Sequence, residues 1–259
     1  MIIELFGPPG SGKTTFAYAL SNRLRERGYA SSVVLSYRPG EASSAFDPGG
    51  IITAARRITR AIIVTFSMTF FMFGDQSEIN LAISLVRMLP PKSFIWRVRL
   101  GQYIMRLSKC WSNHSDSTEI VIFDQAFVQA ICSLALFNQA ADERALERAL
   151  AVTPKADVVI RLDAPREVLE ARLHARLRHE AVMERLFEAR LGTNLEAGPI
   201  VERVHDLLLK TSGPIACFSA LDQPALREAV GTIEEEILAK LGSSGGAAHQ
   251  QGAPLPVIP

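Results

Sequence analysis

Cysteine is scarce in this chain. Cys110, Cys132 and Cys217 are the three in 259 residues. They are odd in number, widely spaced and set in apolar segments. That excludes a disulfide framework and a zinc site of closely spaced ligands, and it suits reduced, buried thiols in a cytoplasmic protein. Excess charge is missing too. Lys and Arg number 28 against 27 Asp and Glu, so nothing global draws the chain to nucleic acid, and no nucleic-acid partner is expected. No apolar run is long enough to cross a bilayer as a helix, which takes about 18–20 residues. The longest, Ala61 to Phe73, has thirteen and is bracketed by Arg56, Arg57, Arg60 and Gly74-Asp75. A buried core helix is its plain reading; a membrane-surface contact or an apolar wall of a ligand pocket are the others. No internal repeat is visible, nor a leader before the first strand. No linker interrupts residues 1–241, which reads as one domain. Only residues 242–259, rich in Gly, Ser, Ala and Pro, lack a core pattern, and they read as a disordered tail.

What the chain does have is concentrated near its start. Gly7-Pro8-Pro9-Gly10-Ser11-Gly12-Lys13-Thr14, followed by Thr15, satisfies G-x-x-x-x-G-K-[ST] at every fixed position. Its context agrees. Ile2, Ile3, Leu5 and Phe6 suit a buried parallel strand ahead of it. Phe16, Ala17, Leu20 and Leu24 recur at helical spacing behind it, which opens a helix at Lys13. Glycines allow the backbone to turn tightly beside a phosphate. Loop N–H groups and the helix N-terminus offer positive partial charge to a β-phosphate. Lys13 is expected to reach the β- and γ-phosphates, and Thr14 to place its hydroxyl on Mg²⁺. The expected cofactors are ATP and Mg²⁺, with Gly7 through Thr15 as the binding residues.

The remaining pattern predicts an α/β fold with a parallel sheet and helices on both faces. A second strand runs Ser32–Ser36, and Tyr37-Arg38-Pro39-Gly40-Glu41 turns away at the sheet edge where such folds bind ligands. Residues 51–111 read as helical, broken at Pro90-Pro91. Arg97, Arg99, Arg106 and Lys109 surround the later part as a solvated basic face, or one of them meets an anionic substrate. Glu119–Asp124 is a third strand closed by a carboxylate, the form of a Walker B element. Asp124 is thus a candidate to hold Mg²⁺ or to act as general base; an ordinary helix-capping Asp is the alternative. Short helices follow at 126–137 and 142–151. Asp157–Leu162 is the fourth strand, with Pro165 at the first position of its helix. Ile200 to Leu208 marks another helix, Ile215–Phe218 the fifth strand and Pro224–Leu241 the closing helix.

On these residues the chain resembles the thymidylate kinase and nucleoside kinase group. The resemblance is carried by Gly7–Thr15, the Tyr37–Gly40 turn, Phe123-Asp124-Gln125, and Val159–Pro165 with Glu167, Val168 and Arg172. It implies a P-loop NTPase fold with five parallel strands and a helical insert between strands 2 and 3. It implies that residues 42–115 form the acceptor region. It also implies that 165–195 forms a lid whose Arg172 and Arg176 close over the transferred phosphoryl; surface arginines are the other reading. Ser219-Ala220 resembles the adenine-binding loop. The pattern is not complete. Arg38 stands where the group has Glu, with Glu41 nearby, and Gln125 stands where it has Arg. Loss of that Arg weakens the case for a nucleoside monophosphate acceptor. Arg38, Glu41 and Gln125 are the acceptor-side candidates, and Glu41 ranks behind Asp124 as general base.

Hydrolytic classes fit poorly. No Asn-Lys-x-Asp reads guanine, Asp124 is not followed by x-x-Gly, no Ser-Gly-Gly-Gln signature is present, and no Glu follows Asp124 to polarise water. The sequence therefore points to an ATP- and Mg²⁺-dependent phosphotransferase acting on a small-molecule acceptor, a nucleoside, nucleotide or other hydroxylated metabolite. Its catalytic set is Lys13, Asp124, Arg172 and Arg176, with Thr14 and Asp124 as metal ligands. The rival is an ATP-binding regulatory or switch protein with little turnover. A homodimer is compatible with either.

Overall fold

The computed structural model describes residues 1–35, 76–179, 196–213, 215–219 and 222–248, with side chains at all of these except 176–179, 212 and 243–248. Five strands and the helices between them follow the predicted alternation. They are β1 (Ile2–Phe6), α1 (Lys13–Glu26), β2 (Ser31–Val34), α2 (Gln76–Met88), α3 (Phe94–Ser115) and β3 (Ile120–Phe123). After these come α4 (Phe127–Asn138), α5 (Glu143–Val152), β4 (Val158–Asp163), α6 (Arg166–His179), α7 (Ala197–Ser212), β5 (Ala216–Ser219) and α8 (Gln223–Ala248). All strand pairs are parallel, in the order β2-β3-β1-β4-β5. Helices α2 and α3 lie in the insert between β2 and β3, as expected; residues 36–75 of that insert, including the 61–73 stretch, lie outside the described residues.

β1 is the middle strand. Every residue in it is buried, because helices cover both faces of a parallel sheet. Ile3 and Leu5 face one core with Phe16, Leu20, Leu24, Ile233 and Ile237 of α1 and α8. Ile2 and Phe6 face the other, with Phe123 of β3, Trp111 of the insert, Phe127 of α4, Leu146 of α5 and Val204 of α7. This alternation sends Glu4 into the second core. Trp96 stacks on Phe137 with ring centroids 3.8 Å apart and ties α3 to α4.

Local chemistry explains several boundaries. Asp142 caps α5, accepting from the Ala145 N–H at 2.7 Å. Gly28 follows α1 with φ +87°, its N–H on Arg25 O at 2.9 Å, and the Tyr29 N–H on Leu24 O at 3.0 Å, the double closure that a glycine after a helix permits. Three expectations need correction. Helix α8 continues to Ala248 rather than stopping at Leu241, so the first residues assigned to a disordered tail are helical. Cys217 is exposed and Cys110 half-buried; Cys132 alone is fully buried, because β5 is an edge strand. Arg99 lies 4.5 Å over the Trp96 ring rather than on a solvated face, and burial lowers its pKa. Among the described residues no helix is long and apolar enough to cross a membrane.

Candidate functional site

The C-terminal ends of β1, β3 and β4 bring the sequence candidates together. β1 delivers Gly7 with φ +147°, in a region that favours glycine. A Cβ there would stand 1.9 Å from Leu162 O of β4, so loop and strand touch backbone to backbone. The loop then turns, Ser11 N–H bonding Pro8 O at 3.2 Å. Gly12, with φ +94°, occupies the N-cap of α1. No side chain caps that terminus, so the first-turn N–H groups of α1 are presented at the sheet edge, as an anion site requires.

Lys13 is buried at the start of α1. Its Nζ donates to Gly7 O and Pro8 O, both at 2.9 Å, and to Ser11 Oγ at 3.4 Å. The ammonium is therefore held inside the loop by the loop's own oxygens. The Thr14 hydroxyl donates to Asp124 Oδ2 at 2.9 Å. Asp124 directly follows β3, is 3 % exposed, and its N–H bonds Val34 O of β2 at 3.1 Å. Two hard oxygen donors side by side beneath a phosphate loop suit Mg²⁺, which is commonly held by one or two protein oxygens together with substrate phosphates. The donor set fits that ion, and the described residues hold no cluster of three or more His, Cys, Asp or Glu that would suit a metal bound by protein alone.

Arg172 arrives from the other side. It lies on α6, and its Nη1 donates to Gly10 O at 3.1 Å across 162 residues of sequence. The same nitrogen would lie 3.7 Å from a Cβ on Gly12. The guanidinium thus lies against the loop at Gly10. Arg176 is in α6, but its side chain is outside the described residues, as are Arg38, Glu41 and Ala220. Thr15 is exposed on the first turn of α1, and Pro9 and Gly10 are half-buried. Gln125 follows Asp124, and its carbonyl accepts from Tyr103 Oη at 3.2 Å. Ser219 pairs with Asp163 at the end of β5, on the far side of β4 from Asp124.

Three features of the site escape a motif search. Glu4 is 1 % exposed inside β1 and accepts from the Val128 N–H at 2.6 Å. Burial pushes its carboxyl up to about 8 despite the backbone N–H groups of Val128, Gln129 and Ala126 and the charge of Lys155. Its signal in the sequence is one charge inside an apolar strand. Gln129, on the first turn of α4, accepts from the Gly7 N–H through Oε1 at 3.1 Å. Third, Arg161 of β4 bonds Asp163 at 2.6 Å and also Glu202 of α7, whose carboxyl it holds below the ordinary range. Pro8, Arg161, Asp163, Gly198, Pro199, Val201 and Glu202 line an open cavity of about 300 Å³ next to the loop.

No protein-family model and no curated protein sequence matches this chain. Among solved structures, the deoxyadenosine kinase from M. mycoides with the products dCMP and a flexible dCDP bound superposes with a TM-score of 0.50. It is 15% identical, over 92% of this chain and 100% of that one. The same enzyme with dATP bound gives 0.46 at 16% identity, and with dCTP bound 0.42 at 15%, each over 92% of this chain and 99% and 100% of those chains. With its central β1 leading into Gly7–Thr14 and its insert between β2 and β3, this chain has the P-loop NTPase fold of that deoxyadenosine kinase.

Proposed function

We propose that this protein is a kinase that transfers the γ-phosphoryl of ATP to a hydroxyl of a small acceptor, with a nucleoside as the first acceptor to test. The observation that carries this reading is the convergence of three chain segments on one loop: Lys13 within it, Asp124 bonded to Thr14, and Arg172 bonded to Gly10.

The division of labour follows from the chemistry. In the transfer, the acceptor oxygen forms a bond to the γ-phosphorus and the bond to the β–γ bridging oxygen breaks, leaving ADP. Charge spreads over the equatorial oxygens on the way. Lys13, already inside the loop, supplies a point charge toward the β- and γ-phosphates. Arg172 supplies a planar pair of donors from above Gly10. Thr14 and Asp124 would hold Mg²⁺, which neutralises phosphate charge when bound. The acceptor's proton needs a carboxylate: Asp124 stands at the loop, and Glu41 is the second candidate. Residues 42–115 and 165–195 are assigned to the acceptor region and the lid. A nucleoside acceptor is supported by the deoxyadenosine kinase fold and by Gln125, which replaces the arginine that a monophosphate acceptor would use.

The test is ADP release by the purified protein with Mg²⁺ and ATP, alone and against nucleosides, nucleoside monophosphates and small hydroxylated metabolites. Acceptor-dependent ADP release that Lys13→Ala abolishes, with an unchanged circular dichroism spectrum, supports the kinase. ATP binding without product on any acceptor refutes it and favours the regulatory reading.

A further inference from the structure

We infer that Gln129 and Glu4 are positioning residues that set the phosphate loop in register with Asp124. This rests on the reading of residues 7–14 as a phosphate loop, and it concerns side chains outside the motif. The geometry is a closed ring. Glu4 leaves β1 and takes the Val128 N–H at the start of α4. The next residue, Gln129, returns from α4 to β1 and takes the Gly7 N–H. Glu4 lies in β1 and Gly7 directly follows that strand, so both ends of the ring are referred to β1. Both side chains are buried.

The ring acts on the site in two places. At Gly7 it fixes the first peptide of the loop. The Gly7 N–H goes to Gln129 and the Gly7 carbonyl to Lys13, so the two peptide planes that flank the Gly7 Cα are each held by a side chain. A rotation there would re-aim the amides that follow, and the Gln129 oxygen is what the Gly7 N–H bonds among the described residues. At α4 the ring fixes the helix N-terminus, and α4 begins three residues after Asp124. The turn between them is held again by Tyr103, whose hydroxyl donates to Gln125 O. Loop and carboxylate are thus referred to the same buried frame, and the 2.9 Å bond from Thr14 to Asp124 is the result. An apolar residue of equal size at 129 would pack as well and would leave the Gly7 N–H without an acceptor.

The experiment compares Gln129→Met, Gln129→Glu and Lys13→Ala in the full chain. It measures fluorescent ATP affinity with Mg²⁺, amide hydrogen exchange at Gly7 and Val128, and the melting temperature. Gln129→Met is expected to weaken ATP by about tenfold and to speed exchange at Gly7 while Val128 stays protected. Gln129→Glu, assayed at pH 6.5 where a buried carboxyl still offers an oxygen, is expected to restore both. Wild-type ATP affinity and wild-type Gly7 exchange in Gln129→Met would overturn the inference. Should Gln129→Met fail to fold, Gln129→Asn decides: it draws the amide oxygen back by one methylene, so faster exchange at Gly7 with Val128 still protected supports the inference and wild-type exchange at Gly7 overturns it. Lys13→Ala separates the two ideas. If it leaves ATP affinity unchanged, the phosphate-loop reading fails and this inference with it; if it abolishes binding while Gln129→Met keeps wild-type ATP affinity and wild-type Gly7 exchange, only this inference fails.

Discussion

Replacing Glu4 by Gln should change how stability depends on pH. The carboxyl titrates at about 8 in the folded chain against 4.5 as reference, because burial disfavours its charged form. Between those values the folded state binds a proton that the unfolded state has released. Stability contributed by this group is therefore complete below pH 4.5 and is lost as pH rises through 8. The slope is at most about 1.4 kcal/mol per pH unit, so from pH 5.5 to 7.5 the wild type loses up to about 3 kcal/mol from Glu4. For a chain of this size that is a fall in melting temperature of roughly 5–10 °C. His205 works in the opposite sense. Burial lowers its pKa below 6.5, so it adds stability as pH rises toward neutrality. The quantity to measure is the difference between Glu4→Gln and wild type at pH 5.5, 6.5 and 7.5 at fixed ionic strength, in which His205 cancels. The groups facing Glu4, namely Lys155, Tyr103 of α3 and Cys132 of α4, are present in both proteins. The variant should gain on the wild type as pH rises. Parallel melting curves would show that the carboxyl is ionised across the range and refute the reasoning.

Arg172→Ala should lower kcat by about 10²–10³-fold, the cost of one pre-placed donor to developing phosphoryl charge, and Arg172→Lys should not restore it, lacking the planar fork; steady-state kinetics with the identified acceptor decide this. Gly7→Ala puts a methyl 1.9 Å from Leu162 O, so the loop must move off β4; ATP binding by calorimetry should be lost, and retained affinity would show that the loop moves without cost. With a maleimide probe, Cys217 should label first, Cys110 more slowly and Cys132 only on unfolding, since Cys132 is buried and burial pushes its thiol up to about 12; mass spectrometry of the labelled peptides checks the order.

The parts of this site that were legible in the sequence are those whose chemistry is local. Gly7 to Thr14 needs a strand before and a helix after, and both are visible as apolar periodicity. Asp124 ends a run of four apolar residues. Arg172 follows Pro165 by two helical turns, and the resemblance to nucleoside kinases singles it out as a lid arginine; its bond to Gly10 O is not something the sequence shows. Glu4 and Gln129 were not legible, because their meaning depends on which face of β1 packs on α4, and strand order is not encoded in any short window. Cys217 was read as buried because its neighbours are apolar; an edge strand exposes alternate residues whatever their type. The closing helix was cut at Leu241 because glycine and serine disfavour helix interiors by about 1 kcal/mol or less each, a cost that did not stop this helix.

The central place of β1 has a consequence for how the chain is made. The strand is synthesised before either of its partners, β3 and β4, and the Ile2 N–H bonds Asp157 across 155 residues. Until β3 has left the ribosome the strand has no partner in the sheet, and until β4 has it lacks the second. Contacts so distant in sequence form slowly, and an apolar strand without partners is prone to aggregate while it waits. A charge in the middle of that strand guards against such association during the delay. Glu4→Gln should therefore lower soluble yield even at a pH where the melting temperature rises, and expression of the two proteins side by side checks this.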